Sequence, residues 1–183
     1  PSATPGSMLP INAEHTVPQF FFKANPGPTR GVMRADIHHL FPTHKDPNQA
    51  RGHEPFGEIE DDEPDTWFGV NADGSLYAEA ELPSDDLDLF AEDNEGEFEP
   101  PEGHEGNTAR AVFYFYTMYP EVATPIADIA ADGLEQLYRW HLQDPPDAAE
   151  IARNARITTC QGNRNPYVDH PGLLCRAWGF ECN

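Results

Sequence analysis

Lysine is almost missing from this 183-residue chain: of its eleven basic residues only Lys23 and Lys45 are lysines. Basic residues of either kind vanish between Glu54 and Glu105, a stretch that holds 20 Asp and Glu. Cysteine is sparse, with Cys160, Cys175 and Cys182 confined to the last quarter. An odd number leaves at least one unpaired within the chain, and spacing does not reveal the pairing. No Cys-x₂-Cys pair exists, which argues against a cysteine zinc site. No run of about 18 apolar residues exists either, so no membrane-spanning helix is expected. The start shows no signal-peptide pattern, and Pro-Ser-Ala-Thr-Pro-Gly-Ser-Met-Leu-Pro reads as the trimmed or frayed end of a mature chain.

What is present suffices for a folded domain. Hydrophobic residues make up 38% and aromatics 11%, enough for a core, while 19 prolines and 14 glycines imply many loops. The length fits one domain, since about 100–200 residues per domain is usual. Net charge is −21, and its distribution matters more than its sum. Outside the acidic stretch, 12 acids face all 11 bases, and the first 53 residues carry three acids against five bases. Nucleic-acid binders are usually basic because phosphate contacts dominate affinity. The overall charge therefore opposes such a role, and the local charge of the first 53 residues permits it. One reading of the acidic stretch is a solvated surface adapted to high salt, where the Debye length falls to about 3 Å. Another is a structural Ca²⁺ site near Asn71-Ala-Asp-Gly-Ser75, although that stretch lacks a full twelve-residue loop ending in Glu.

Pattern and turn chemistry predict a strand over Ile11–Val17, a loop over 24–31 and a second strand over Asp36–Phe41. Phe20-Phe-Phe22 reads as core packing rather than a platform for bases. A short helix follows over Thr43–Arg51, either capped by Thr43 or starting nearer Asp46 so that Pro47 falls in its first turn. The acidic stretch reads as loops with one or two edge strands, around Trp67-Phe68 and Leu76-Tyr77. Asn107 is a candidate cap for a helix through Tyr119, with Ala109, Val112, Phe113, Tyr116 and Tyr119 on its buried face. Asp132–Glu135 and Asp147–Glu150 resemble capping boxes opening helices to about Leu142 and Cys160. Residues 161–167 break the second of these, and a last helical turn is expected over Pro171–Ala177. The class is α+β.

Phosphodiester hydrolysis needs a base for water and a positive group for the transition state and leaving oxygen. His15 suits the first, with an ordinary pKa of about 6.5. Its neighbour Glu14 offers a hard oxygen. Adjacent strand residues point to opposite faces, so the two share a site only at a twisted or irregular strand end. Their surroundings make them specific. Glu14-His-Thr-Val-Pro-Gln19, Met33-Arg-Ala-Asp-Ile-His-His-Leu-Phe-Pro-Thr43 and Asn48-Gln-Ala-Arg-Gly52 stand in the first part. Gly106-Asn-Thr-Ala-Arg-Ala-Val-Phe-Tyr-Phe115 and Gln161-Gly-Asn-Arg-Asn-Pro-Tyr-Val-Asp-His-Pro171 follow. From about Ile11 to Trp178 the chain resembles the endonuclease I family of secreted and periplasmic nucleases, of the His-Me finger (ββα-metal) class.

The resemblance implies one nuclease domain over 1–183: a finger at 11–53, an acidic loop-rich insertion at 54–105 and a helical half at 106–183. It implies that His15 is the general base, and that Glu14 and Asn48 are the metal ligands. Mg²⁺ is the implied cofactor, with Mn²⁺ or Ca²⁺ as substitutes. Arg34 is the candidate transition-state contact, and Lys45 and Arg51 are candidate substrate contacts, Arg51 equally a staple for the finger helix. Spacing alone would make Asn48 a helix-start residue. Asp36 and His38 are expected as structural groups near the site, with Asn163 and Arg164 bracing the finger from the second half. Arg110 is expected as a brace on the long helix. The implied substrate is DNA, and RNA in many relatives, cut by a monomer outside the cytoplasm to 5′-phosphate and 3′-hydroxyl ends. The chain departs from the pattern at Glu105, where a Lys is common, and in having only 13 residues before Glu14. Two competing readings are a zinc hydrolase using His38, His39 and His44, and an acidic, Ca²⁺-stabilised binding module with no enzymatic activity.

Overall fold

In the computed structural model, which describes residues 11–24, 28–71, 73–84, 86–122 and 125–182, β1 (Ile11–His15) runs antiparallel to β2 (Leu40–His44), from Ile11↔His44 to His15↔Leu40. The expected opening segment 1–10 lies outside the described residues. After β1, Pro18 leads into α1 (Gln19–Phe22), with Phe22 buried and Phe20 half exposed, its ring stacked on His53. Where turn residues predict a loop over 24–31, α2 (Pro28–Ala35) begins at Pro28, and residues 25–27 lie outside the described residues. Tertiary packing overrides the local signal here, since Met33 is wholly buried in the core.

The second strand also differs from the sequence expectation. Residues Ile37–His39 form a 3₁₀ turn, and β2 starts only at Leu40 and runs through Pro42. Asp36 causes the turn by accepting the His38 N–H at 3.0 Å. Pro42 is tolerated because a two-stranded ribbon has an outward edge on each strand, where no N–H is needed. The next helix, α3 (Lys45–Arg51), is capped by His44, whose Nδ1 accepts from the Asp46 N–H, and not by Thr43. Pro47 falls in its first turn, where its missing N–H costs nothing.

The acidic stretch holds more order than its loops suggest. β3 (Thr66–Val70), β4 (Leu76–Glu79), β5 (Ala91–Asp93) and β6 (Phe98–Glu99) form an antiparallel sheet in the order β4-β3-β5-β6. Trp67, Phe68, Ala91 and Phe98 are buried, so a few apolar residues set the strands, while Glu92 of β5 and Glu99 of β6 are buried beside them. The stretch proposed for Ca²⁺ near 71–75 closes the β3–β4 hairpin. Its Asp73 Oδ1 accepts from Ser75 N–H and Oγ, and Asn71 Nδ2 donates to Ser75 Oγ and the Leu76 carbonyl. Ala72 lies outside the described residues. Burial first, then neighbouring carboxylates, push Glu92 up to about 8, Glu99 to about 7 and Glu105 to about 9.

The helical half is built around α4 (Glu102–Met118), which starts right after Pro101 rather than at Asn107. Ala109, Val112, Phe113, Tyr114 and Phe115 are all wholly buried, as expected of a central helix covered on every side. Val17, Phe22 and Met33 meet it from the first part, Phe56, Phe68 and Phe98 from the acidic stretch, and Trp140 and Tyr167 from the C-terminal helices. Fully burying one such side chain contributes roughly 1.5–3 kcal/mol. Next come α5 (Gly133–Gln143), α6 (Ala148–Gln161), α7 (Pro166–Asp169) and α8 (Leu173–Trp178). Asp147 caps α6 through the Glu150 N–H, whereas Asp132 makes no side-chain cap to α5. Cys175 and Cys182 form a disulfide, and Cys160 is free and exposed.

Two contacts lock α4 against the α5–α6 junction. Arg110, wholly buried, pairs with Glu150 at 2.7 Å and donates to the Asp144 carbonyl and Asn107 Oδ1. Gly106 permits the approach, since a Cβ there would lie 1.9 Å from the Asp144 carbonyl oxygen. That neighbour is backbone and yields only if the helices separate. Gly106→Ala is therefore expected to lower the unfolding free energy by about 1–3 kcal/mol, the usual range for overpacking. Denaturant unfolding followed by circular dichroism measures it, and parent-like stability would contradict the close approach.

Candidate active site

β1 carries its two chemical residues to opposite faces, as alternation dictates. Glu14 turns into a cleft of about 1000 Å³ shared with Asn48 of α3 and walled by Phe41, Phe68, His104 and Arg153. His15, the last residue of β1, turns its half-buried ring toward Phe22 and His39, with centroids 6.5 and 5.4 Å away.

The position of His15 fixes its tautomer. Nε2 lies 3.0 Å from the Arg34 carbonyl oxygen at the end of α2. A carbonyl can only accept, so Nε2 carries the proton in the neutral ring and Nδ1 keeps the lone pair. Burial lowers the His15 pKa from its ordinary value, more than the Arg34 carbonyl raises it, and the Arg34 guanidinium lowers it further. Near neutral pH the ring is thus an acceptor through Nδ1. The Arg34 side chain itself is exposed, in the last turn of α2.

Glu14 is held by Arg51. The Arg51 Nη1 donates to Glu14 Oε1 and, at 3.1 Å, to the His15 carbonyl, while Nη2 reaches the Thr16 carbonyl at 3.1 Å and Nε the Glu54 carbonyl at 3.3 Å. The guanidinium also lies 4.0 Å over the Phe56 ring, and only 2% of the side chain is exposed. Of the two readings of Arg51, substrate contact and staple for the finger helix, these bonds favour the staple. These four bonds turn inward, and the residue staples α3 to β1. Burial raises the Glu14 pKa even though Arg51 opposes it.

Asn48 makes the cleft wall receptive to a cation. Its Nδ2 is buried without a hydrogen-bond partner. Which amide atom is N and which O is assigned from the surroundings, and turning the amide over points Oδ1 the same way. A carboxylate and an amide oxygen form a hard donor set, which fits Mg²⁺ or Ca²⁺ better than zinc. Lys45, at the start of α3, is exposed and 3.4 Å from Asp46.

The second half braces this unit mainly through Asp36. Its buried carboxylate accepts from Tyr114 (2.9 Å), Tyr119 (2.7 Å), Gln161 (2.7 Å) and the His38 N–H (3.0 Å). Burial alone would raise its pKa, but these bonds together hold it below the ordinary value. His38 Nε2 donates to the Asn163 carbonyl at 3.3 Å, and Asn163 Nδ2 donates to Tyr114 Oη. Arg164 does not reach the ββα unit, which corrects the expected brace. It forms a bidentate pair with Asp169 and touches Thr158, all within the second half. Arg153 of α6 makes the brace instead, donating to the Ile37 and Leu40 carbonyls at 2.6 and 2.7 Å and lying over Phe41. Sequence reasoning missed Arg153, and no spacing or motif marks it.

The three histidines of the zinc reading are separately engaged. His39 Nε2 donates to the Met33 carbonyl, His38 to Asn163, and His44 caps α3. Burial drives His39 down to about 4. Among the described residues they form no group able to share a metal, and the one acidic group that could is Glu58, Glu99 and Glu105.

A family model described as Endonuclease I matches residues 2–172. The chain is 30% identical to an extracellular ribonuclease of Bacillus amyloliquefaciens over 191 residues, covering 94% of this chain and 55% of that protein. It is 27% identical to an extracellular deoxyribonuclease of Aeromonas hydrophila over 173 residues, covering 87% and 66%. A periplasmic deoxyribonuclease of the same organism is 28% identical over 138 residues, covering 75% and 48%. The chain thus spans about half to two thirds of the length of these curated relatives. With a family match over nearly its whole length and the ββα unit that carries Glu14, His15 and Asn48, the chain belongs to the Endonuclease I family.

Proposed function

We propose that this chain is a divalent-metal-dependent endonuclease of the His-Me finger class, exported from the cytoplasm. It hydrolyses phosphodiester bonds of DNA, and of RNA, with little sequence preference, to 5′-phosphate and 3′-hydroxyl ends. The observation that carries the reading is the His15 ring. Its Nε2–H is tied to the Arg34 carbonyl, so Nδ1 keeps the lone pair that takes a proton, and its sequence neighbour Glu14 lines the cleft with Asn48. The names of the relatives, ribonucleases and deoxyribonucleases of extracellular or periplasmic location, support substrate and export.

In this reading His15 Nδ1 takes a proton from the attacking water, and the Arg34 carbonyl keeps the ring from rotating. Arg51 holds the Glu14 carboxylate in place, as second-layer partners of ligands commonly do. Glu14 and Asn48 would hold Mg²⁺, with Mn²⁺ or Ca²⁺ as substitutes, and such an ion supplies charge neutralisation at the phosphate and the leaving oxygen. The exposed Arg34 guanidinium adds positive charge beside the base, and Lys45 a further phosphate contact. The acidic surface suits work at high salt, where its repulsion of the substrate is screened.

On plasmid DNA with Mg²⁺, His15→Ala is expected to lose at least about 10²-fold in rate, the lower end for a general base. EDTA should abolish cleavage. Full activity in His15→Ala sinks the assignment of the base. Toward molar NaCl the parent's rate should hold or rise, whereas a steep fall above physiological salt would point to ordinary counterion-release binding.

The two arginines should separate cleanly. Arg51→Met leaves Glu14 uncompensated in a half-buried place and is expected to destabilise by about 3–5 kcal/mol in denaturant unfolding, the cost of breaking a buried pair. Arg34→Ala should lower the cleavage rate and leave unfolding unchanged. The reverse pattern would exchange their roles.

A further inference from the structure

The acidic stretch gathers three carboxylates that no basic side chain answers. Glu58 lies in the loop after α3, Glu99 in β6 and Glu105 in the first turn of α4, and one oxygen from each lies within 4.8 Å of the other two. Among the described residues none of the three enters an ion pair. Glu58 accepts from Trp140 Nε1 at 2.9 Å, and Glu99 accepts from the Ile59 N–H. Glu105 is only 4% exposed, and its Oε1 has no hydrogen-bond partner. Beside them Glu92, 5% exposed, also has an unpartnered oxygen, and it lines with Glu58 and Glu99 a cavity of about 170 Å³.

We propose that Glu58, Glu99 and Glu105 hold a structural Ca²⁺ ion that ties the loop after α3, strand β6 and the start of α4 together. Buried carboxylate oxygens without partners are rare, because each costs the full loss of its hydration. A dipositive ion removes that cost at Glu105 and offsets the charge that the three carboxylates gather. The N-terminus of α4 offsets only about half a charge, too little for three carboxylates. Ca²⁺ takes 6–8 oxygens at about 2.3–2.6 Å, so oxygens on its opposite sides stand about 4.8 Å apart. The cavity, which Glu58, Glu92 and Glu99 line and Glu105 does not, leaves room beside the carboxylates for waters that complete the shell. Mg²⁺ demands a tighter octahedron and gives up its water reluctantly. The competing arrangement is a proton shared between Glu99 and Glu105, which leaves the second Glu105 oxygen and the Glu92 oxygen without a partner. The site lies outside the ββα unit and stands or falls independently of the nuclease reading.

The test uses the full chain carrying Glu14→Gln and Asn48→Ala, so that the cleft holds no cation, stripped with EDTA and titrated with CaCl₂ by calorimetry. Molar NaCl suppresses diffuse binding to the acidic surface. One Ca²⁺ per chain is expected, with a rise in melting temperature. Adding Glu105→Gln should weaken Ca²⁺ binding by at least about tenfold, since affinity follows the ligand charge, and should cancel the rise. If Glu105→Gln does not fold, Glu58→Gln at the exposed member reads the same affinity. Absence of binding and of a melting shift in the Glu14→Gln/Asn48→Ala chain overturns the site and favours the shared proton. Unchanged affinity in both Glu105→Gln and Glu58→Gln overturns it too.

Discussion

A single buried carboxylate, that of Asp36, organises the contact between the two halves of the molecule. Four donors converge on it, Tyr114 of α4, Tyr119 at its C-cap, Gln161 at the end of α6 and the His38 N–H of its own turn. Among the described residues no ion pair reaches it, and with the Arg153 charge acting only from a distance its charge is carried mainly by hydrogen bonds, which cost little only when complete. Because Asp36 shapes the 3₁₀ turn ahead of β2, the same contact sets where β2 begins. The register of β1 against β2 then places Glu14 and His15.

The arginines serve this architecture more than they serve any ligand. Arg51, Arg110 and Arg153 lie turned inward, joining α3 to β1, α4 to the α5–α6 junction and α6 to the turn before β2. Planar guanidinium groups with five donors suit such junctions, where several carbonyls end at one point. Of the eleven basic residues only these three are turned inward, and Lys23, Arg30, Arg34, Lys45, Arg139, Arg156, Arg164 and Arg176 are exposed.

The acidic stretch solves a different problem. Its sheet is anchored by a handful of aromatic side chains, and its surplus charge is mostly left to solvent. Where the charge is not solvated, at Glu92, Glu99 and Glu105, it sits beside the start of α4. A proton or a cation must answer it there. The choice between the two decides whether the sheet and α4 are held rigidly.

The sequence by itself determined the class, the ββα order of the first part and the residues of chemical interest. Glu14, His15 and Asn48 stand in motifs whose order survives without any structure, and the long apolar α4 announces itself by periodicity. The caps at Asp147 and the break after Gln161 are local, so they too were legible. Only the tertiary structure decided which polar residues face inward. Arg51 read equally as a phosphate contact and as a staple until its donors proved to end on β1, Thr16 and Glu54, and Arg164 looked like a brace until it closed on Asp169. Arg153 had no mark at all, because its partners are backbone carbonyls more than 110 positions away. The helix at 28–35 and the strands β5 and β6 of the acidic sheet escaped notice for the same reason, whereas β3 and β4 lie at the expected Trp67-Phe68 and Leu76-Tyr77. Burial of Met33, Trp67 and Phe98 against distant elements outweighs turn propensities worth only fractions of a kcal/mol each, and such burial is invisible until the chain is folded.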